Sequence, residues 1–206
     1  MKQKRSFRLL RATLAVVALS AVFAGTASAS PAWRFNGTEL SGTETVVGAA
    51  IESSLTIPGM TTTCNHFLYT LKISNSGGTG KGEITELPLF ECHTNTVCVV
   101  EAIKAEKLPW SSHLTTVAGK NYIVIEGVRV SITYGGKGCA LGGLTVPITG
   151  TAGGLVDNST QTATFSPATF SATGTSLKFG SNNVEWNGLF PTEAFEWHRE
   201  QALSVS

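Results

Sequence analysis

The chain has 206 residues, of which 42% are hydrophobic and only 14% charged, with 22 Gly and 4 Cys. This is the composition of a folded protein, and it excludes disordered, collagen-like and coiled-coil chains. The formal charge of +1 hides no long run of one sign, so acidic tails and basic nucleic-acid-binding arms are excluded and no nucleic-acid partner is expected.

The opening segment, residues 1–29, reads as a secretory signal peptide. Lys2, Lys4, Arg5, Arg8 and Arg11 form a basic start, Ala12 to Gly25 an uncharged and mostly apolar run, and Ala27-Ser28-Ala29 a small-residue exit. Gln3-Lys4-Arg5-Ser6-Phe7 resembles a twin-arginine signal with Lys in place of the first Arg, and ordinary unfolded export is the expectation. Cleavage after Ala29 leaves residues 30–206 as one secreted domain with 10 Lys and Arg against 14 acids, a net charge near −4. No later stretch reaches the length of a membrane helix, so no membrane span is expected in the mature chain. Asp157 is the only Asp, which excludes Asp-rich calcium loops.

Along the mature chain the recurring period is two, and β-branched residues alternate with polar ones between Gly, Pro and Asn turns. Strands are expected over Thr45 to Ile57, ended by Pro58-Gly59, and over Phe67 to Ile73, where Phe67, Tyr69, Leu71 and Ile73 share a face. Another covers Ile84 to Phe90, with Pro88 marking an edge or bulge, and Val97 to Lys104 follows, ended by Leu108-Pro109-Trp110. The clearest strand runs from Asn121 to Tyr134, where Val128, Val130, Ile132 and Tyr134 alternate with Arg129, Ser131 and Thr133 and Gly127 marks a bulge. Leu144 to Thr149 continues, Gly150 to Gly154 is read as a turn, and Val184 to Trp186 is a short strand.

Ala163-Thr164-Phe165-Ser166 is echoed by Ala168-Thr169-Phe170-Ser171, read as two short adjoining strands bent at Pro167. The tail from Pro191 fits either a short C-terminal helix capped by Thr192 or a strand in which Phe195 and Trp197 alternate. Many short strands with no crossover helix predict an all-β fold, an antiparallel β-sandwich or related barrel.

Cys64, Cys92, Cys98 and Cys139 form an even set in an exported chain, so two disulfides are expected. Four cysteines allow three pairings; Cys64 with Cys92 and Cys98 with Cys139 would tie neighbouring strand regions without crossed loops. The competing reading is a metal site from Cys64, His66 and Cys92 with His93, since thiolate and imidazole suit copper or zinc. The disulfide reading implies no metal and no cofactor. His113 and His198 have no companions at ligand spacing.

Three function classes fit such a chain. A hydrolase needs a nucleophile or a carboxylate pair. No Gly-x-Ser-x-Gly elbow occurs, and Glu83 with Glu86 or Glu193 with Glu196 are the available pairs for polysaccharide cleavage. Gly135-Gly136-Lys137-Gly138 lacks the spacing of a phosphate-binding loop. A binding module would stack a glycan on an aromatic face, with Trp33 and Trp110 favoured over Trp186, Trp197, Tyr122 and Tyr134 because they sit among turn residues. A structural surface protein needs neither. Asn36-Gly37-Thr38 and Asn158-Ser159-Thr160 match glycosylation acceptors and are read as incidental turns.

The signal peptide, Trp33 with Asn36-Gly37, Gly42-Thr43-Glu44, Cys92 with Cys98, Leu108-Pro109-Trp110 and Cys139 together resemble a group of uncharacterised secreted β-rich proteins of high-GC Gram-positive (actinobacterial) soil bacteria. That resemblance implies fold and location and carries no activity. The expectation is therefore a secreted, disulfide-stapled, non-enzymatic binding or structural protein whose partner is a glycan or other cell-surface component, with an extracellular polysaccharide hydrolase as the alternative.

Overall fold

The computed structural model describes residues 30–191 and 203–206. The signal-peptide segment lies outside the described residues, as do Glu193, Glu196, Trp197, His198 and the helix-or-strand question at 192–202.

The described residues form an antiparallel, all-β fold with one short helix, as the period of two predicts. In chain order the strands are β1 (Trp33–Phe35), β2 (Thr38–Glu39), β3 (Thr43–Ile57), β4 (Met60–Ser74), β5 (Lys81–Glu86), β6 (Leu89–Thr94), β7 (Val99–Ala105), β8 (Trp110–Val117), β9 (Lys120–Gly135), β10 (Thr145–Asp157) and β11 (Thr162–Phe165). Then come helix α1 (Pro167–Thr173), β12 (Ser176–Phe179), β13 (Asn182–Pro191) and β14 (Leu203–Val205). The ladders run β3–β4–β5–β8–β9–β10, and β11 and β12 both bridge β10 to β13, which returns to β3, so the pairings form a ring. Strand β6 hangs on β4 alone and β7 on β9 alone.

A ring of long strands must bend, and the bend is written into the side-chain alternation. On β4, Met60, Thr62 and Cys64 point inward, then Phe67, Tyr69, Leu71 and Ile73 do, so the inward phase switches across Asn65 and His66. The same switch occurs on β3 at Glu52 and on β6 at Glu91, the residues that flank Asn65 in register, and both have left-handed backbones with φ of 60° and 51°. One kink therefore crosses three neighbouring strands, as β-bulges do where a sheet turns sharply. Gly127, with φ of 69°, marks the corresponding irregularity in β9, where the sequence places a bulge.

Two readings of the second half change. Gly150 to Gly154, expected as a turn, lies inside β10. Its bare backbone is needed because neighbours press on it: a Cβ on Gly154 would stand 2.7 Å from the Phe165 ring, and one on Gly153 would overlap Thr173. The second Ala-Thr-Phe-Ser copy is helical, not a strand. Ser166 caps α1 by accepting from the Thr169 N–H while the Thr169 hydroxyl accepts from the Ser166 N–H, Pro167 opens the first turn, and Gly174 closes the helix in a left-handed conformation. Phe165 from the strand and Phe170 from the helix are then both buried.

The interior is filled by aromatic and aliphatic side chains. The Phe165 and Trp186 rings stack at 4.7 Å, and Phe190 meets Phe67 and Phe165 edge-on at 4.7 and 4.8 Å. A small sheet, β14–β1–β2, stands over one end of the ring. Its Trp33 and Leu203 share a 50 Å³ apolar cavity with Val46, Tyr69, Ile123 and Phe165. The outer edge of β14 is occupied by a side chain: Asn158 donates from Nδ2 to the Val205 carbonyl at 2.6 Å and accepts the Val205 N–H at 2.9 Å. Among the described residues, no helix is long and apolar enough to cross a membrane.

Candidate functional site

Strands β6 and β7 are consecutive and antiparallel, joined by residues 95–98, yet no ladder connects them. Side chains hold the turn instead: the Thr94 hydroxyl donates to the Cys98 carbonyl at 2.6 Å, and the Cys98 N–H donates to the Thr96 hydroxyl at 3.2 Å. Beyond the turn the arms diverge until the β5–β8 pairing at Ile84 and Trp110 closes the wall again. The result is a split of about 500 Å³, lined by Glu86, Leu87, Pro88 and Leu89 on one side and by Ile103, Lys104, Ala105 and Leu108 on the other.

Both disulfides brace this split. Cys64–Cys92 ties β6 to β4, and Cys98–Cys139 ties the last residue of the 95–98 turn, just before β7, to the β9–β10 connection. The pairing is the one that joins neighbouring strand regions, and two such bridges belong to an oxidising environment. Leu87 and Leu89 also line a 20 Å³ void in the core beside Phe67 and Trp110, so they are the wall between split and interior.

The charges at the rim have separate roles. Glu86 accepts from the Thr70 hydroxyl at 3.0 Å. At the foot of the split, Arg129 Nε donates to Glu106 Oε2 at 2.8 Å, and that bond, with one from Ser131, holds the Glu106 carboxyl below its usual range. Lys104 and Lys107 are exposed on the β7 side.

The aromatic platform read from the sequence is not on the surface. Trp33 is 2% exposed and Trp110 1%, with Trp186, Tyr122 and Tyr134 also buried. Each of the three indole N–H groups has an internal acceptor: the Lys81 carbonyl for Trp33 at 3.0 Å, the Glu106 carbonyl for Trp110 at 2.8 Å, and Ser53 Oγ for Trp186 at 2.7 Å. A ring whose faces are packed and whose only donor is satisfied offers nothing to a sugar. The turn residues around Trp33 and Trp110 mark where the backbone bends and leave the side chain free to point inward.

The metal reading of Cys64, His66 and Cys92 also fails. Both thiols are consumed in one disulfide. The phase switch on β4 sends Cys64 inward and His66 outward, where its Nδ1 lies 3.3 Å from Glu91 Oε2. No group of three or more His, Cys, Asp and Glu side chains that could hold a metal gathers among the described residues.

The structure places Ser111, His113 and Glu126 together on the outer face of β8 and β9, a grouping the sequence reading missed. The Ser111 hydroxyl donates to Glu126 Oε2 at 3.4 Å, and His113 Nδ1 lies 3.7 Å from Glu126 Oε1. The carboxylate stands between hydroxyl and imidazole, whereas a triad needs the imidazole between the other two. Glu83 and Glu86 are both exposed on β5: Glu83 lies in a cross-strand row between Lys72 and Ser111, and Glu86 is on the rim of the split. The split itself was signalled only indirectly, by Pro88 interrupting one apolar run and Leu108-Pro109 ending another. Comparison with protein-family models, with curated proteins and with solved structures finds no match to this chain.

Proposed function

We propose that the chain is a secreted, non-enzymatic binding protein of the outer cell surface and that its ligand sits in the split between β6 and β7. The observation that carries this reading is the split itself. Its volume of about 500 Å³ falls in the range of ligand sites, its floor is aliphatic, and its rim holds a few charged groups. Both disulfides anchor its frame, as expected where strands that lack a ladder must keep their spacing. The leader-like first 29 residues agree with export, and the resemblance to secreted actinobacterial proteins points to the same location.

The test is retention of the oxidised mature protein on isolated cell walls of a high-GC Gram-positive bacterium, pelleted and washed. Wild type is expected in the pellet and Ile103→Arg, which projects a charge into the split from an already part-exposed position, in the supernatant. Equal retention of the two, with Ile103→Arg shown to be folded by its unfolding transition, would remove the split from the binding reading.

A further inference from the structure

We infer that the occupant of the split is an extended peptide segment that adds as a strand to the free edge of β7 at Ile103–Ala105, an inference that rests on the split being the binding site.

The backbone of β7 decides the chemistry. The Glu106 N–H donates to the Arg129 carbonyl at 2.8 Å, so Glu106 and Arg129 form a hydrogen-bonded pair. In an antiparallel ladder such pairs alternate, which turns the polar groups of Lys104 toward β9 and those of Ile103 and Ala105 away from it, into the split. No described residue pairs with them there. A hydrocarbon chain filling the split would strip water from these N–H and C=O groups and give nothing back, which is unfavourable. An extended backbone pairs with them and lets an aliphatic side chain settle among Leu87, Leu89 and Leu108, as strand-addition sites do.

Length and charge narrow the segment further. The edge is blunted on both sides of this stretch: β7 is bulged at Glu101, and β6 opposite is preceded by Pro88 and carries a left-handed Glu91. Such features limit pairing to a few residues and discourage the long edge-to-edge ladder that a second copy of this chain would form. Glu106 is already paired with Arg129, which leaves Lys104 and Lys107 as the cations on this lip. The favoured segment therefore carries an aliphatic residue toward the floor and an acidic residue opposite Lys104 on the outer face.

The probe is a fluorescein-labelled seven-residue synthetic peptide alternating aliphatic and glutamate residues, titrated into the oxidised mature protein by fluorescence polarisation. Saturable binding is expected, with a loss of ten-fold or more when alternate peptide nitrogens are methylated, because methylation removes donors and keeps the side chains. Ala105→Pro is expected to give a similar loss while the fold survives, since proline is tolerated where an edge N–H faces outward. Lys104→Glu should weaken the glutamate peptide and favour its lysine counterpart.

Equal binding of methylated and unmethylated peptides would overturn the inference in favour of unspecific apolar capture. Absence of saturable binding by either peptide series would overturn it too, as would self-association that Ala105→Pro abolishes in place of peptide binding. If the peptides fail while Ile103→Arg still releases the protein from cell walls, the peptide alone is wrong and the split stands. If wall retention is also indifferent to Ile103→Arg, the split falls with it.

Discussion

Glu106 shows how one side chain joins the stability of the fold to the foot of the split. Its carboxyl is lowered from the ordinary glutamate value of 4.5 first by the Arg129 bond and then by Ser131. A lowered native pKa means that, in acid, the unfolded chain takes up a proton more readily than the folded one. The contribution is therefore complete above the ordinary value and is lost as pH falls through the lowered one. Glu106→Gln keeps the shape and removes the charge, so urea unfolding at neutral pH should show it less stable than wild type, with the gap closing below roughly pH 4. A gap equal at neutral and acid pH would show that charge is not the cause. Residue-level reading of the sequence succeeded for the four cysteines, where covalent geometry demands adjacent strands. It failed for Trp33 and Trp110, because proximity to Pro and Gly reports backbone direction and says nothing of where an indole is buried.

At the scale of elements, the sequence was legible wherever one alternation ran unbroken, as from Val128 to Tyr134. It was less so where the inward phase switches, since a period of two carries no mark of a kink at Glu52, Asn65 and Glu91. The glycines of β10 misled for a related reason: glycine serves turns and close approaches alike, and only the rings and helix packed on Gly153 and Gly154 decide between them. Helix α1 was hidden because its local signals, Ser166 before Pro167 and Thr169 two residues on, were outweighed by the repeat of a strand-like motif. Those signals can be tested. Ser166→Ala removes the acceptor for the Thr169 N–H and is expected to cost about 1 kcal/mol by urea denaturation. Faster amide exchange in α1, with the β3–β4 ladder unchanged, should accompany it. A variant as stable as wild type would mean that Pro167 and the burial of Phe170 suffice to hold the helix.

For the molecule as a whole, the question is what keeps a ring with an unlaced pair of strands from closing up or fraying. Ladder hydrogen bonds support β6 and β7 on one side only, and the two disulfides stand at those strands. Bridges across separations of 28 and 41 residues restrict the unfolded chain by about 3.5 and 4 kcal/mol on the loop-entropy account. If that were their whole effect, replacing either pair by alanines would lower global stability and leave the pattern of local opening as it is. The structure argues for a local effect as well. Cys64→Ala with Cys92→Ala should speed amide exchange along β6, and Cys98→Ala with Cys139→Ala along the 95–98 turn and early β7, both beyond the general rise and with β9–β10 least changed. Hydrogen exchange followed residue by residue reads this directly. A uniform rise at all slow amides would assign the bridges to the unfolded state alone, whereas an excess at the rims of the split over the general rise would show that they hold the frame of the site.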